Sequence, residues 1–426
     1  MEQSKNFVIS GGILFNPKHS LHNKPVSIAV KGGKIDSILP FEKSKASKNE
    51  IVLESGAHFL PGFVDLLSDF CDPGMEHRED FESGARTALA GGFTHVALNP
   101  HTKPVRDSKS EISYVSAANN HSTLNLIALG TLSEGGMNEQ IPELFDMFQS
   151  GAKGFYSGKK QMNEQLVVNA LRYCDGIAAT PHVFPVVDRL TQNGQINESV
   201  VSSKTGLKPI PAIAEEIALD NLIAILRYTG GKLHISHIST AASVEKIKKA
   251  KKEGLNIRCS VAAHQLIHTD DAVLDFDTRY KVNPPFRSKK DRDALRKACK
   301  QGVIDAIHTD HSPIDIEHKK IEFDLAEFGI IGLQTAVASV WTAMASSLTI
   351  EDLVNLFSYR SSEILGLEIN EIAPEKAANF CVFHPQKSWI FNRVGNHSKS
   401  ENSPYFDEEF KGQISHTVSK GILNSF

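Results

Sequence analysis

The chain's reactive side chains fall in a carboxylate-rich stretch and among a set of histidines further along. The run Pro61-Gly-Phe-Val-Asp-Leu-Leu-Ser-Asp-Phe-Cys-Asp-Pro-Gly74 spaces Asp65, Leu67, Asp69 and Cys71 two residues apart. That spacing puts all four on one face if the run stays extended. His308 and Asp310 have the same spacing and share a face, whereas His234 and His237, three apart, do not. Carboxylates and imidazoles in this mix are donors for zinc or iron. Without an ion, the same groups form a buried hydrogen-bonded network. Leu67 cuts across the metal reading, because zinc needs nitrogen, sulfur or carboxylate oxygen at about 2.0–2.3 Å and leucine has no lone pair to give. Cys71 belongs to no motif that pairs it with a base, so it is not read as a nucleophile.

The elements that carry these residues follow from periodicity and punctuation. Phe63–Phe70 reads as a buried strand opened by Pro-Gly and closed by Pro73-Gly74. Further strands are expected at Thr94–Asn99, Leu124–Thr131, Ala152–Tyr156, Ile177–Val187, Lys232–Ile238, Asn256–Ala262 and Ile304–Thr309. Amphipathic segments separate most of them. Ser243–Lys252 stops at Gly254, and Ser288 with Asp291 opens a helix that stops at Gly302. Eight strands alternating with helices predict a (β/α)8 barrel over about residues 59–371. Gly329–Ser347 and Ile350–Leu365 read as helices after the last strand. Both chain ends, 1–58 and 372–426, are short-stranded, with a Gly32-Gly33 hairpin in the first. The polar run Asn396–Pro404 reads as a surface loop, and His264, His268, His311 and His318 are placed on loops or outward faces.

Composition narrows the classes. The 426 residues are 41% hydrophobic and 23% charged, with a net charge of −4, which gives no case for nucleic acid or an anionic membrane. The basic helical runs are solvated faces. The N-terminal residues lack the apolar core of a signal peptide, and the uncharged Gly329–Ile350 stretch is diluted by polar residues, as in a buried helix. Five widely spaced cysteines without a C-x-x-C pair argue for a reducing, cytoplasmic setting.

The opening strand, the run from Glu79 to Thr94, and the blocks His234–Thr240, Lys281–Arg287, Thr309–Pro313 and Glu327–Thr335 together resemble class I dihydroorotases of the amidohydrolase superfamily over essentially the whole chain. The resemblance implies a barrel flanked by a small β-sandwich module built from both chain ends. It also implies zinc held by an H-x-H pair, a carboxylate, further histidines and an aspartate, with an arginine binding the substrate carboxylate. Here the H-x-H positions are Leu67 and Asp69, and the arginine position is Cys71. The bridging acid is expected within Gly151–Lys160, which offers Ser157 instead. Lys153, Lys159 and Lys160 lie there too, and a carbamylated lysine bridges metals in related enzymes, but none matches that position. Pro185–Asp188 replaces a histidine-led run, with His182 out of register. His237 and Asp310 match a metal ligand and the ligand that also moves the proton. Asn283, Phe328 and Gly329 match substrate-contacting positions, whereas His101 and Ile314 replace polar ones. In the family's register only His237 of the sixth-strand pair points inward.

The expectation is a dihydroorotase-like protein of pyrimidine biosynthesis that is catalytically inactive, with Asp310 vestigial, no cofactor, and a structural or regulatory role beside aspartate carbamoyltransferase. Other copies of the chain are expected partners; nucleic acid and membrane are not. The alternative is a divergent cyclic-amide hydrolase in which Asp69, His237, His308 and Asp310 converge from three strands as an altered mononuclear zinc site. A third class, a small-molecule sensor using the old pocket, has no residue that speaks for it.

Overall fold

A computed structural model describes residues 5–42 and 50–426. Residues 1–4 and 43–49, which the sequence reading assigns to the first half of the β-module, lie outside the described residues. Strands β1 (Phe7–Leu14), β2 (Pro25–Lys31), β3 (Lys34–Pro40), β4 (Ile51–Val52) and β5 (His58–Pro61) open the chain. In β2 exposed and buried residues alternate along the strand, as in a sheet with one face on a core. Gly32 and Gly33 take φ of +58° and +85° in the turn between β2 and β3, a backbone that favours glycine.

The barrel strands follow: β6 (Phe63–Ser68), β7 (Phe93–Leu98), β8 (Asn125–Ala128), β9 (Gly130–Thr131), β10 (Gly154–Tyr156) and β11 (Thr180–Val183). A short pair, β12 (Ile196–Asn197) and β13 (Pro209–Ile210), decorates the fifth loop. Then come β14 (Leu233–Ile235), β15 (Ile257–Ala262) and β16 (Ala306–His308). All barrel pairings are parallel, with helices between. The third barrel strand breaks at Leu129: its first part pairs with β7 and its second with β10. The chain closes with β17 (Phe380–Ile390), β18 (Glu409–Ser419) and β19 (Ile422–Ser425), and β17 pairs with β5, so both ends share one sheet. The fold is thus a TIM barrel with a separate β-sandwich module.

Several elements are shorter than expected. The strand foreseen over Ile177–Val187 is only Thr180–Val183, because Ile177 and Ala178 finish the preceding helix turn, with φ +58° at Ala178. The helix foreseen over Gly329–Ser347 is Ala336–Met344. Before it, backbone groups tie down the loops after β15 and β16: the Gly329 amide donates to the Lys281 carbonyl and the Gly332 amide to His311 Nδ1. Residues 350–364 stay helical through a π-helical turn at Asn355–Tyr359. Asn396–Pro404 is not a free surface loop. Ser398, Ser400, Asn402 and Ser403 are buried, and Asn402 accepts from the Ile314 amide and donates to the Ser312 carbonyl. The run is a strap from the β-module across the barrel rim.

β6 and β16 share no regular ladder, and Asp65 closes the barrel between them. It accepts from the Thr309 amide at 2.7 Å, the Thr309 hydroxyl at 2.9 Å and the Ser68 hydroxyl at 2.5 Å. One bridge, Ser68 to His311, adds to it. Among the described residues, no helix is long and apolar enough to cross a membrane, and the five cysteines are buried and free.

Burial raises the Asp65 pKa from its ordinary value to about 6 against the opposing hydrogen bonds. The folded chain therefore keeps this proton to higher pH than the unfolded chain does, so stability falls as pH rises from about 4 to about 6 and is level above. Asp65→Asn should flatten that slope, worth about 2–3 kcal/mol, in urea unfolding measured across pH.

Candidate active site

The C-terminal ends of the first, sixth and eighth barrel strands leave the extended region sharply. Cys71, His237 and Asp310 have φ of +57°, +56° and +50°, uncommon for side chains other than glycine and typical of functional loops. This bend corrects the expectation for the opening run. The strand ends at Ser68 and its register with β7 shifts between Asp65 and Ser68, so Asp65 sits at the barrel seam while Leu67 and Asp69 line the mouth. Asp69 accepts from the Cys71 amide at 2.8 Å, and burial raises its pKa.

Asp310 is the centre of the mouth. Lys159 Nζ lies 2.8 Å from each of its oxygens, and His237 Nε2 lies 2.9 Å from Oδ1. His264 Nε2 stands 3.9 Å from Oδ2. Burial alone would raise the carboxyl pKa, but Lys159 and then His237 override it and hold Asp310 well below the carboxylate range. Burial, only partly offset by Asp310, pushes His237 down, so the ring is neutral; it donates from Nε2 to Asp310 and leaves Nδ1 bare.

His308 packs edge-on against His237, with ring centroids 4.2 Å apart, and neither of its ring nitrogens has a partner among the described residues. One donor atom each from His237, His308 and Asp310 lie within 4.8 Å of one another. The four side chains named from the sequence therefore separate: three converge, and Asp69 stays at the rim. Above them is a cavity of about 340 Å³ whose lining includes Leu67, Asp69, Lys159, Asn283, Asp310 and Phe328. Gly329 does not line it. A Cβ there would stand 2.8 Å from both the Ile314 side chain and the Ser312 carbonyl, so the position serves loop packing.

Three histidine placements are corrected. His234 also faces the barrel interior, because the chain turns between it and His237; its Nδ1 lies 2.7 Å from His182 Nδ1. His264 is 2% exposed and reaches toward Asp310. His311 is buried, with Nε2 3.4 Å from Glu79, which also holds Ser398 of the strap. Sequence reasoning missed Lys159 as a member of the site, along with Tyr156, whose ring stacks on His237. The signal for Lys159 was its place just past the fourth strand; its family position pointed elsewhere.

Asp310→Asn removes one side of a buried ion pair whose lysine is partly exposed. The expected loss is about 1–3 kcal/mol of stability at neutral pH. The parent should lose the same increment as acid protonates Asp310, since a depressed pKa gives stability that is present above the ordinary carboxylate range and lost below it. Urea unfolding of parent, Asp310→Asn, Lys159→Met and the double variant measures the coupling.

A profile described as "Amidohydrolase family" matches residues 195–423, and one described as "Dihydro-orotase-like" matches residues 56–243. The dihydroorotase of Geobacter sp. (strain M21) is 34% identical over 420 residues, covering 98% of each chain. That of Pelotomaculum thermopropionicum is 37% identical over 367 residues, covering 85% of this chain and 86% of its own. L-Hydantoinase (dihydropyrimidinase) from Arthrobacter aurescens superposes with a TM-score of 0.86 at 19% identity, over 99% of this chain and 96% of that one, a likeness of fold. With two family profiles spanning the barrel and full-length relatives of this similarity, the chain belongs to the amidohydrolase family as a dihydroorotase-type member.

Proposed function

We propose that this dihydroorotase-type protein serves pyrimidine biosynthesis without metal-dependent hydrolysis, as a structural or regulatory partner of aspartate carbamoyltransferase. The observation that carries the reading is the donor set. Leu67 occupies the mouth where the family resemblance calls for a histidine. Ser157 stands nearest to the bridging acid, but its hydroxyl already donates to the Gly158 carbonyl and accepts from the Phe184 amide. Both oxygens of Asp310 are held by Lys159. A pair of divalent ions needs anionic ligands to offset their repulsion, and these residues do not fit one.

Without such ions, water stays near its bulk pKa of about 15.7. Asp310, held below the carboxylate range, is a poorer base than a free carboxylate. Recognition has thinned as well. Cys71, His101 and Ile314 stand where charged or amide groups would bind a substrate carboxylate, each loss worth on the order of 1.5–3 kcal/mol. Desolvation pushes the half-buried His101 down to about 4, so it brings no charge at neutral pH.

A second reading, hydrolysis of a cyclic amide at a mononuclear site of His237, His308 and Asp310, is favoured by the closeness of their donors and by the relatives' being named dihydroorotase. The two readings differ in metal content and turnover. The first expects protein purified without added metal to hold substoichiometric zinc and to hydrolyse dihydroorotate and hydantoin no faster than its Asp310→Asn variant. It also expects a carbamoyltransferase to co-purify. Near-stoichiometric zinc with hydrolysis abolished in Asp310→Asn would establish the second reading instead.

A further inference from the structure

Around and beneath Asp310, several buried ring nitrogens lack partners. Among the described residues, His237 Nδ1, His264 Nε2 and both ring nitrogens of His308 are buried without a partner. They crowd one carboxylate whose oxygens each receive Lys159 Nζ at 2.8 Å. Lone pairs of neutral imidazoles around a carboxylate are what a divalent cation collects, yet the cation present is a side chain.

We infer that the Lys159 ammonium is a tethered cation standing in the place of a divalent ion on Asp310, and that it keeps the His237–His308–Asp310 site closed to metals. The geometry is that of capture. Lys159 lies three residues past the end of β10, its only polar partner among the described residues is Asp310, and it is 28% exposed at the side-chain level. Its equal 2.8 Å contacts to the two oxygens place the ammonium where an ion shared by both oxygens would sit. Because the ammonium is covalently attached, it meets Asp310 at an effective concentration that a free ion must outcompete. An ion entering beside it would add like charge at contact range. The inference rests on the non-hydrolytic reading and adds to it the residue that prevents metal binding.

Cobalt(II) titration tests it, read by visible absorption and by the shift in thermal unfolding temperature. The proteins are the parent, Lys159→Met, Lys159→Gln, Lys159→Arg and Lys159→Met/His308→Ala. Lys159→Gln keeps a neutral donor to Asp310, so the test survives if the methionine variant folds poorly. Lys159→Met and Lys159→Gln should bind one cobalt per chain roughly tenfold or more tightly than the parent and be stabilised by it. Lys159→Arg should behave as the parent, and His308→Ala should abolish the gain. Equal cobalt affinity of the parent and the two neutral variants overturns the inference, as does a folded Lys159→Met or Lys159→Gln protein that gains no cobalt. Failure of the non-hydrolytic reading is seen separately, as dihydroorotate hydrolysis by the parent.

Discussion

One ion pair, Lys159 with Asp310, is the constraint on which the mouth of this barrel depends. A carboxylate 4% exposed cannot remain charged in an apolar interior without compensation. This chain supplies that compensation with a lysine that follows β10, the fourth barrel strand, and reaches across the mouth to Asp310 after the eighth. The consequences spread outward. Asp310 keeps its left-handed backbone, His237 is fixed as a donor through Nε2, and His308 fills the space beneath with both nitrogens unpaired.

A second constraint holds the frame while the centre changes. Asp65 pins the first strand to the eighth, and the buried Arg106 guanidinium bonds the carbonyls of Leu98, Asn99 and Leu129 across the second and third strand ends. The strap through Ser398, Ser400 and Asn402 binds the β-module to the loops after the first and eighth strands. None of these contacts involves the groups that would do chemistry. The frame is therefore held by contacts separate from the cluster around Asp310, and the fold by itself does not fix what that cluster does.

Much of this was legible in the sequence. Alternation of strands and helices gave the barrel, the returning β-character at both ends gave a sheet that the pairing of β17 with β5 completes, and the Gly32-Gly33 turn was placed from residue type alone. Of the four side chains offered as a converging alternative, Asp69, His237, His308 and Asp310, the last three come together and Asp69 does not. What escaped was set by backbone turns that spacing rules do not contain. Period-two reasoning assumes regular extended chain, but a register shift between Asp65 and Ser68 leaves Asp65 at the seam, and the turn ending in positive φ at His237 leaves both His234 and His237 inside the barrel. Lys159 was weighed only as a carbamylated bridge, and its pairing with Asp310 escaped for another reason: a long flexible side chain carries its charge far from its backbone position, so strand register says little about where the ammonium arrives.

The central claim concerns what neutralises Asp310. A crystal structure with anomalous data collected above the zinc edge, from protein grown in medium containing zinc, addresses it directly. The account predicts continuous side-chain density from Lys159 to both Asp310 oxygens and no anomalous peak in the mouth. One or two strong anomalous peaks at bonding distance from His237 and Asp310, with Lys159 swung away, would contradict it.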